Sequence, residues 1–163
     1  KSIAVDLTLI DTYDRLLTDL ELDLVKTAKA HDAQPFYRLR SIPGIGKILA
    51  LVLLYAIHDI HRFPRVQAFV SYCRLVKCAK ESAGKRLGTS GKKIANANLT
   101  WAFSEAAGLF LRNNPAGQKY RAHLERRHSK GKALTVLAHQ LARAVYDMVK
   151  RETAVDMDKF FKE

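Results

Sequence analysis

Cysteine is scarce in this sequence. Cys73 and Cys78 are the only two, too few for a disulfide scaffold and in keeping with a reducing compartment. Their C-x4-C spacing lacks the second pair that a zinc set needs, so both read as core thiols. No stretch of 18 apolar residues occurs, which argues against a membrane-spanning helix, and no signal peptide opens the chain. There is no internal repeat and no Gly-x-x-x-x-Gly-Lys-Ser/Thr phosphate loop. Methionine is confined to Met148 and Met157, and the first residue is Lys1. The expectation is a piece of a longer protein, in which a two-domain function is only half present. Acidic residues are few beside their opposites: 16 Asp and Glu face 28 Lys and Arg, a net charge of +12. Such an excess points to a polyanionic partner.

What is present fits one globular domain of 163 residues, 48% hydrophobic and 27% charged. The charge is segregated. Residues 1–34 carry four cations and seven anions, whereas residues 35–163 carry 24 and nine. The expected division is an oligomerisation helix over 1–34, a helical domain over 35–151 and a tail over 152–163 without a clear element. No Gly or Pro interrupts residues 1–34, and Ile10, Tyr13, Leu17, Leu20 and Leu24 follow the 3, 4 spacing of a coiled-coil seam. That stripe must be buried, either on another copy or on the chain's own helices.

The fold class read from periodicity is all-α: a long coiled-coil-like helix, then a compact helical domain holding a helix–hairpin–helix and a basic loop. Helices are expected near 47–57 (Ile48, Ala50, Leu51, Leu54 and Tyr55 inward), after Pro64 (Val66, Phe69, Val70, Tyr72), near 94–111 (Leu99, Ala102, Phe103, Ala106, Phe110), 116–128 and 132–150 (Leu134, Leu137, Ala138, Leu141, Val145, Met148). His139 and Arg143 fall on the outer side of the last one.

Two segments carry chemistry. In Ser41-Ile-Pro-Gly-Ile-Gly-Lys47, Gly44 and Gly46 are expected to take torsions that side chains forbid. The following helix would then offer backbone N–H groups of Gly46 and Lys47 to an anion. A DNA phosphate fits that place without being read for sequence. Lys47 would add charge, and Ile42 and Ile45 would anchor the turn. The plainer alternative is a tight turn between packed helices. The second segment runs from Lys77 to Lys93. Lys80, Lys85, Arg86, Lys92 and Lys93, among glycines and hydroxyls, suit contact with a nucleic-acid backbone. The plainer alternative is a solvated loop, with a short strand at most. No partnered base for a serine nucleophile is visible here. His58, His61, His123, His128 and His139 qualify by residue type alone.

The series Ser41-Ile-Pro-Gly-Ile-Gly46, Phe63-Pro64, Tyr72-Cys-Arg-Leu75, Ser82-Ala-Gly-Lys85, Lys93-Ile-Ala-Asn96-Ala-Asn-Leu99, Trp101-Ala-Phe-Ser-Glu-Ala-Ala107 and the closing helix Lys132–Lys150 resembles one domain. It is the C-terminal transposase domain of the bridge-RNA-guided insertion-sequence transposases, the IS one-ten family, over about residues 38–150. The resemblance implies a preceding RuvC-like domain with four acidic metal ligands, a coiled-coil linker, and DNA cutting and rejoining through a covalent phosphoserine. Ser82, 14 positions before Asn96, corresponds to the nucleophile and is preferred over Ser90, which lies too close to Asn96. Gly44, Ile45, Gly46, Lys47, Lys80, Lys85, Arg86, Lys92, Lys93 and Asn96 are the expected nucleic-acid contacts. Two positions depart from the family pattern: Ala83 follows the serine and Ala95 precedes Asn96 where glycine is frequent.

Further expectations follow from the resemblance. The chain itself holds no cofactor, and Mg2+ belongs to the other domain. The partners are DNA, a structured guide RNA and further copies of the chain joined through residues 1–34, with no membrane. The setting is the nucleoid-associated cytoplasm of a bacterium or archaeon. The competing reading is a non-catalytic helix–hairpin–helix DNA-binding module with a dimerisation arm; pure RNA-scaffold binding is a third. The catalytic reading looks for the Ser82 hydroxyl on an exposed basic groove beside the Gly44–Gly46 turn.

Overall fold

The computed structural model describes the backbone of residues 2–76, 78–82, 85–90 and 96–161, and side chains outside 77–95 and 158–159. Seven helices and one hairpin make up the described chain: α1 (Ser2–Arg40), α2 (Lys47–Ile57), a 3-10 turn (Ile60–Arg62), α3 (Val66–Tyr72), β1 (Cys78–Ser82), β2 (Lys85–Ser90), α4 (Ala97–Phe110), α5 (Pro115–Glu125), α6 (Lys130–Arg151) and α7 (Met157–Phe160). The body is helical, as the periodicity requires.

The long N-terminal run is helical because nothing breaks it for thirty residues. It then breaks at Asp32, whose backbone is extended (φ −159, ψ 110), and resumes around Pro35. Asp32 caps the second piece by accepting a hydrogen bond from the Gln34 N–H at 3.0 Å. The two pieces behave differently. Ala28, Phe36 and Leu39 are buried, whereas the seam residues Ile10, Tyr13, Leu17, Leu20 and Leu24 remain 46–62% exposed. The stripe is therefore not packed on this chain's own helices.

The core lies between α2, α4 and α6, with the end of α1 and α3 closing it. In α4 the predicted face is the observed one: Leu99, Ala102, Phe103, Ala106 and Phe110 are all buried. Its small residues let α6 approach, and Leu137, Ala138, Leu141, Val145 and Met148 fill the facing side. In α2 the expected face is rotated. Leu49, Ala50, Leu51, Leu53 and Ile57 are buried, while Ile48 and Tyr55 point outward. The helix is apolar nearly all round, so periodicity could not fix its rotation. The tail also differs from expectation. It holds α7, whose Phe160 is buried with its ring 5.4 Å from that of Phe110.

A polar knot ties α6 to the start of α3. Tyr146 Oη donates to the Phe63 carbonyl at 3.0 Å, and Lys150 Nζ donates to Phe63 O, Pro64 O and Tyr146 Oη at 3.1, 3.3 and 2.6 Å. Lys150 and Tyr146 thus staple together elements more than 80 residues apart.

Candidate nucleic-acid interface

The turn between α1 and α2 is held from inside. Ile42 and Ile45 are buried, and the Ile45 N–H donates to Ile42 O at 3.1 Å. Gly44 has φ +85, and a Cβ there would lie 2.4 Å from the Phe110 backbone nitrogen. Glycine is required twice over at this position, by torsion and by the approach of α4. Gly46 is different. It is the N-cap of α2 with φ −79 and ψ −176, ordinary extended backbone, and nothing lies within 4 Å of the place a Cβ would occupy. The expectation that its torsions exclude side chains is corrected. No side chain caps α2, which leaves the first N–H groups of that helix to water or an anion.

Lys47 is not a lone cation. Its Nζ sits 3.2 Å from the Glu21 carboxylate, and both side chains are partly exposed. A half-exposed pair of this kind contributes at most about 1 kcal/mol, so a phosphate can compete for the lysine.

The basic segment contains an antiparallel hairpin. Cys78 pairs with Ser90, Ala79 with Thr89, Lys80 with Gly88, Glu81 with Arg86 and Ser82 with Lys85, with a bulge after Lys80. Ser82 therefore ends β1 at the tip, while Ser90 ends β2 at the base. Four residues of strand separate their positions along the hairpin, about 13 Å. The side chains of Ser82, Lys80, Lys85 and Arg86, and Lys92 and Lys93 entirely, lie outside the described residues.

The hairpin is rooted where α3 ends and α4 begins. The Asn96 N–H donates to Tyr72 O at 3.1 Å, and Thr100 Oγ1 donates to Cys73 O at 2.9 Å. Asn96 is the N-cap of α4, its Oδ1 accepting from the N–H groups of Asn98 and Leu99 at 2.9 and 3.3 Å. The cap engages its side-chain oxygen in the fold. The Arg62 guanidinium lies 4.5 and 4.7 Å over the rings of Phe63 and Tyr72. Hydrogen bonds donated by Arg62, and then by Asn96, lower the pKa of the Tyr72 phenol. This Arg62–Tyr72–Asn96 group was not legible in sequence, because a contact over 34 positions leaves no local signature. Beside it, Leu24, Leu51, Val52, Tyr55, Ala56, Asn98 and Trp101 line an open groove of about 540 Å³, with Tyr55 and Trp101 half exposed.

The Gly44 turn lies against Phe110, at the C-terminal end of α4; the Tyr72–Asn96 contact, which flanks the hairpin in sequence, lies at its N-terminal end. Fourteen residues of helix separate them, about 20 Å. The turn and the chain ends that flank the hairpin are therefore set apart along α4. Burial holds the Cys73 thiol up to about 12, which makes it an inert core group. Among the described residues no group of three or more His, Cys, Asp or Glu could hold a metal, and no helix is long and apolar enough to cross a membrane.

Residues 37–122 match the family model described as Transposase IS116/IS110/IS902 family. The matched stretch runs from the end of α1 into α5, through the turn, the hairpin and Asn96. The chain is 30% identical over 145 residues to the transposase for insertion sequence element IS1111A of Coxiella burnetii, covering 85% of this chain and 39% of that protein. It is also 30% identical over 142 residues to the insertion element IS110 uncharacterized 43.6 kDa protein of Streptomyces coelicolor, covering 87% of this chain and 33% of that protein. The chain thus spans between a third and two fifths of the length of these relatives.

Proposed function

The chain belongs to the transposase IS116/IS110/IS902 family, and on that premise we propose that it is the serine-bearing half of an RNA-guided DNA recombinase. The observation that carries this is the family match itself, which spans the turn, Ser82 and Asn96 in one stretch. The +12 charge supports a nucleic-acid partner.

In the proposed reaction the Ser82 hydroxyl attacks a DNA phosphorus. A bond from Ser82 Oγ to phosphorus forms, a phosphorus–oxygen bond to one sugar breaks, and the hydroxyl proton leaves Ser82 as the departing sugar oxygen gains one. A strand-end hydroxyl later reverses the exchange and frees the serine. Ester is traded for ester, so no nucleotide cofactor is consumed. A serine at its free pKa is a poor nucleophile and needs activation from outside itself. We assign that activation to an acidic, Mg2+-holding domain elsewhere in the full-length protein. Lys80, Lys85, Arg86, Lys92 and Lys93 offset the charge that develops on the phosphoryl oxygens. Gly46 and Lys47 grip a separate phosphate through backbone N–H groups and the ammonium. The exposed seam of α1 pairs copies of the chain as a coiled coil, and a structured guide RNA shares the cationic surface.

The test is Ser82→Ala in the full-length transposase that contains this chain. Strand cleavage is expected to disappear while DNA and RNA binding persist. Cutting and joining at the normal rate in the variant would overturn the catalytic assignment and leave a non-catalytic binding module.

A further inference from the structure

A second cationic stretch follows α4 in the chain. Residues 112–132 hold Arg112, Lys119, Arg121, Arg126, Arg127, Lys130 and Lys132 against a single acid, Glu125. That acid is already taken, 2.7 Å from Arg121 Nε. The other six cations are exposed, and none of them makes an ion pair among the described residues.

Their placement follows from how α5 folds. Asn114 caps the helix by accepting from the Gly117 N–H at 3.1 Å, and Pro115 starts it. Gly117 is buried, and a Cβ there would touch the Phe110 ring at 2.8 Å. Tyr120 turns inward, its ring 5.9 Å from that of Phe161. With that side fixed, Lys119, His123 and Arg126, spaced four and three apart, form an exposed stripe. Arg127, Lys130 and Lys132 extend it into the start of α6. Arg112 extends it the other way, two residues beyond Phe110, whose backbone meets Gly44. The face thus begins two residues from the helix end on which the α1–α2 turn packs.

We propose that this face, made by the α4–α5 turn, the outer side of α5 and the α5–α6 connection, is a second nucleic-acid surface that grips the phosphate backbone of a double helix. The inference rests on the transposase reading and gives that reading a second contact surface. Six unpaired cations among few acids attract a polyanion, and releasing its counterions drives binding. The eleven residues of α5 span about 16 Å, the reach of several consecutive phosphates. A double helix fits better than a single strand, because residues 112–132 hold no Phe or Trp and their one Tyr, Tyr120, turns inward. The large stacking platforms that single strands use are missing from this stretch, which offers only the small imidazoles of His123 and His128. The face continues the end of α4 opposite the Tyr72–Asn96 contact. Duplex DNA and paired RNA present the same backbone chemistry, and the experiment separates them.

The experiment titrates the whole chain and its Lys119→Gln/Arg126→Gln/Arg127→Gln variant with a DNA duplex and an RNA duplex of unrelated sequence, over a range of salt. All three positions are exposed, and circular dichroism checks that the fold persists. A control variant, Arg15→Gln/Lys29→Gln on α1, removes cations elsewhere. The expected result is a salt slope shallower by about 2 to 3 for the triple variant, and an unchanged slope for the control. The duplex whose slope changes more is the one this face holds. An unchanged slope in a triple variant whose parent binds would overturn this inference and leave the transposase reading standing. Absence of binding by the parent chain would overturn both. A change of oligomeric state with nucleic-acid binding intact would give the face to an acidic protein partner and also overturn it.

Discussion

Gly44 carries the most demanding position in the chain. Its φ of +85 and the Phe110 nitrogen, 2.4 Å from where a Cβ would lie, leave no room for a side chain. Gly44→Ala is expected to cost at least about 3 kcal/mol, read from urea unfolding, whereas Gly46→Ala should stay within about 1 kcal/mol because its backbone is ordinary. Equal costs would contradict the assignment. The contrast also marks the limit of sequence reading: both glycines sit in one motif, and only packing against α4 tells them apart. His139 offers a pH test. Burial, and then the nearby Arg143, lower its pKa from 6.5, so the folded state prefers the neutral ring. Its contribution is complete above about pH 6.5 and falls away as the pH drops below that value. His139→Gln should flatten stability against pH between about 7 and 5 in thermal melts; an unchanged profile would rule the ring out as the source. Asn96 shows that one residue type carries two readings in sequence. An Asn ahead of an apolar run is also what an N-cap looks like, and its oxygen fills that role in the fold.

At the scale of elements, legibility followed amphipathicity. The faces of α4 and α6 were readable because polar residues mark their outer sides. The rotation of α2 was not, because Ile48 and Tyr55 are as apolar as the residues beneath them. The short α7 was missed because four residues carry no period, although Phe160 is buried. The hairpin was expected as a loop because its Lys, Gly and Ser content masks alternation. The N-terminal helix makes two predictions. Leu17→Glu with Leu20→Glu places charge in the exposed seam and should abolish self-association in sedimentation velocity without changing the melting of the body. Retained oligomers would remove the seam from the interface. Glu21→Gln releases Lys47 from its 3.2 Å partner and should tighten duplex binding by less than about fivefold at low salt; weaker binding would show that the pair positions the lysine instead.

Across the whole molecule, the Gly44 turn and the Tyr72–Asn96 contact that flanks the hairpin in sequence stand at opposite ends of α4, about 20 Å apart. On the proposed function, a nucleic acid that lies along this helix would meet the turn and the α5 face at one end, and the hairpin enters the chain from the other. The sequence displayed both basic segments but not their separation, since distance along α4 depends on which of its ends each segment reaches. The central claim is that Ser82 forms the bond to DNA. The most direct measurement incubates the full-length transposase with its guide RNA and a nicked suicide duplex that prevents rejoining, then maps the trapped protein–DNA adduct by mass spectrometry. A nucleotide on the peptide containing Ser82, lost in Ser82→Ala, is the expected result; an adduct at Ser90 or on another residue, with Ser82 unmodified, would contradict it.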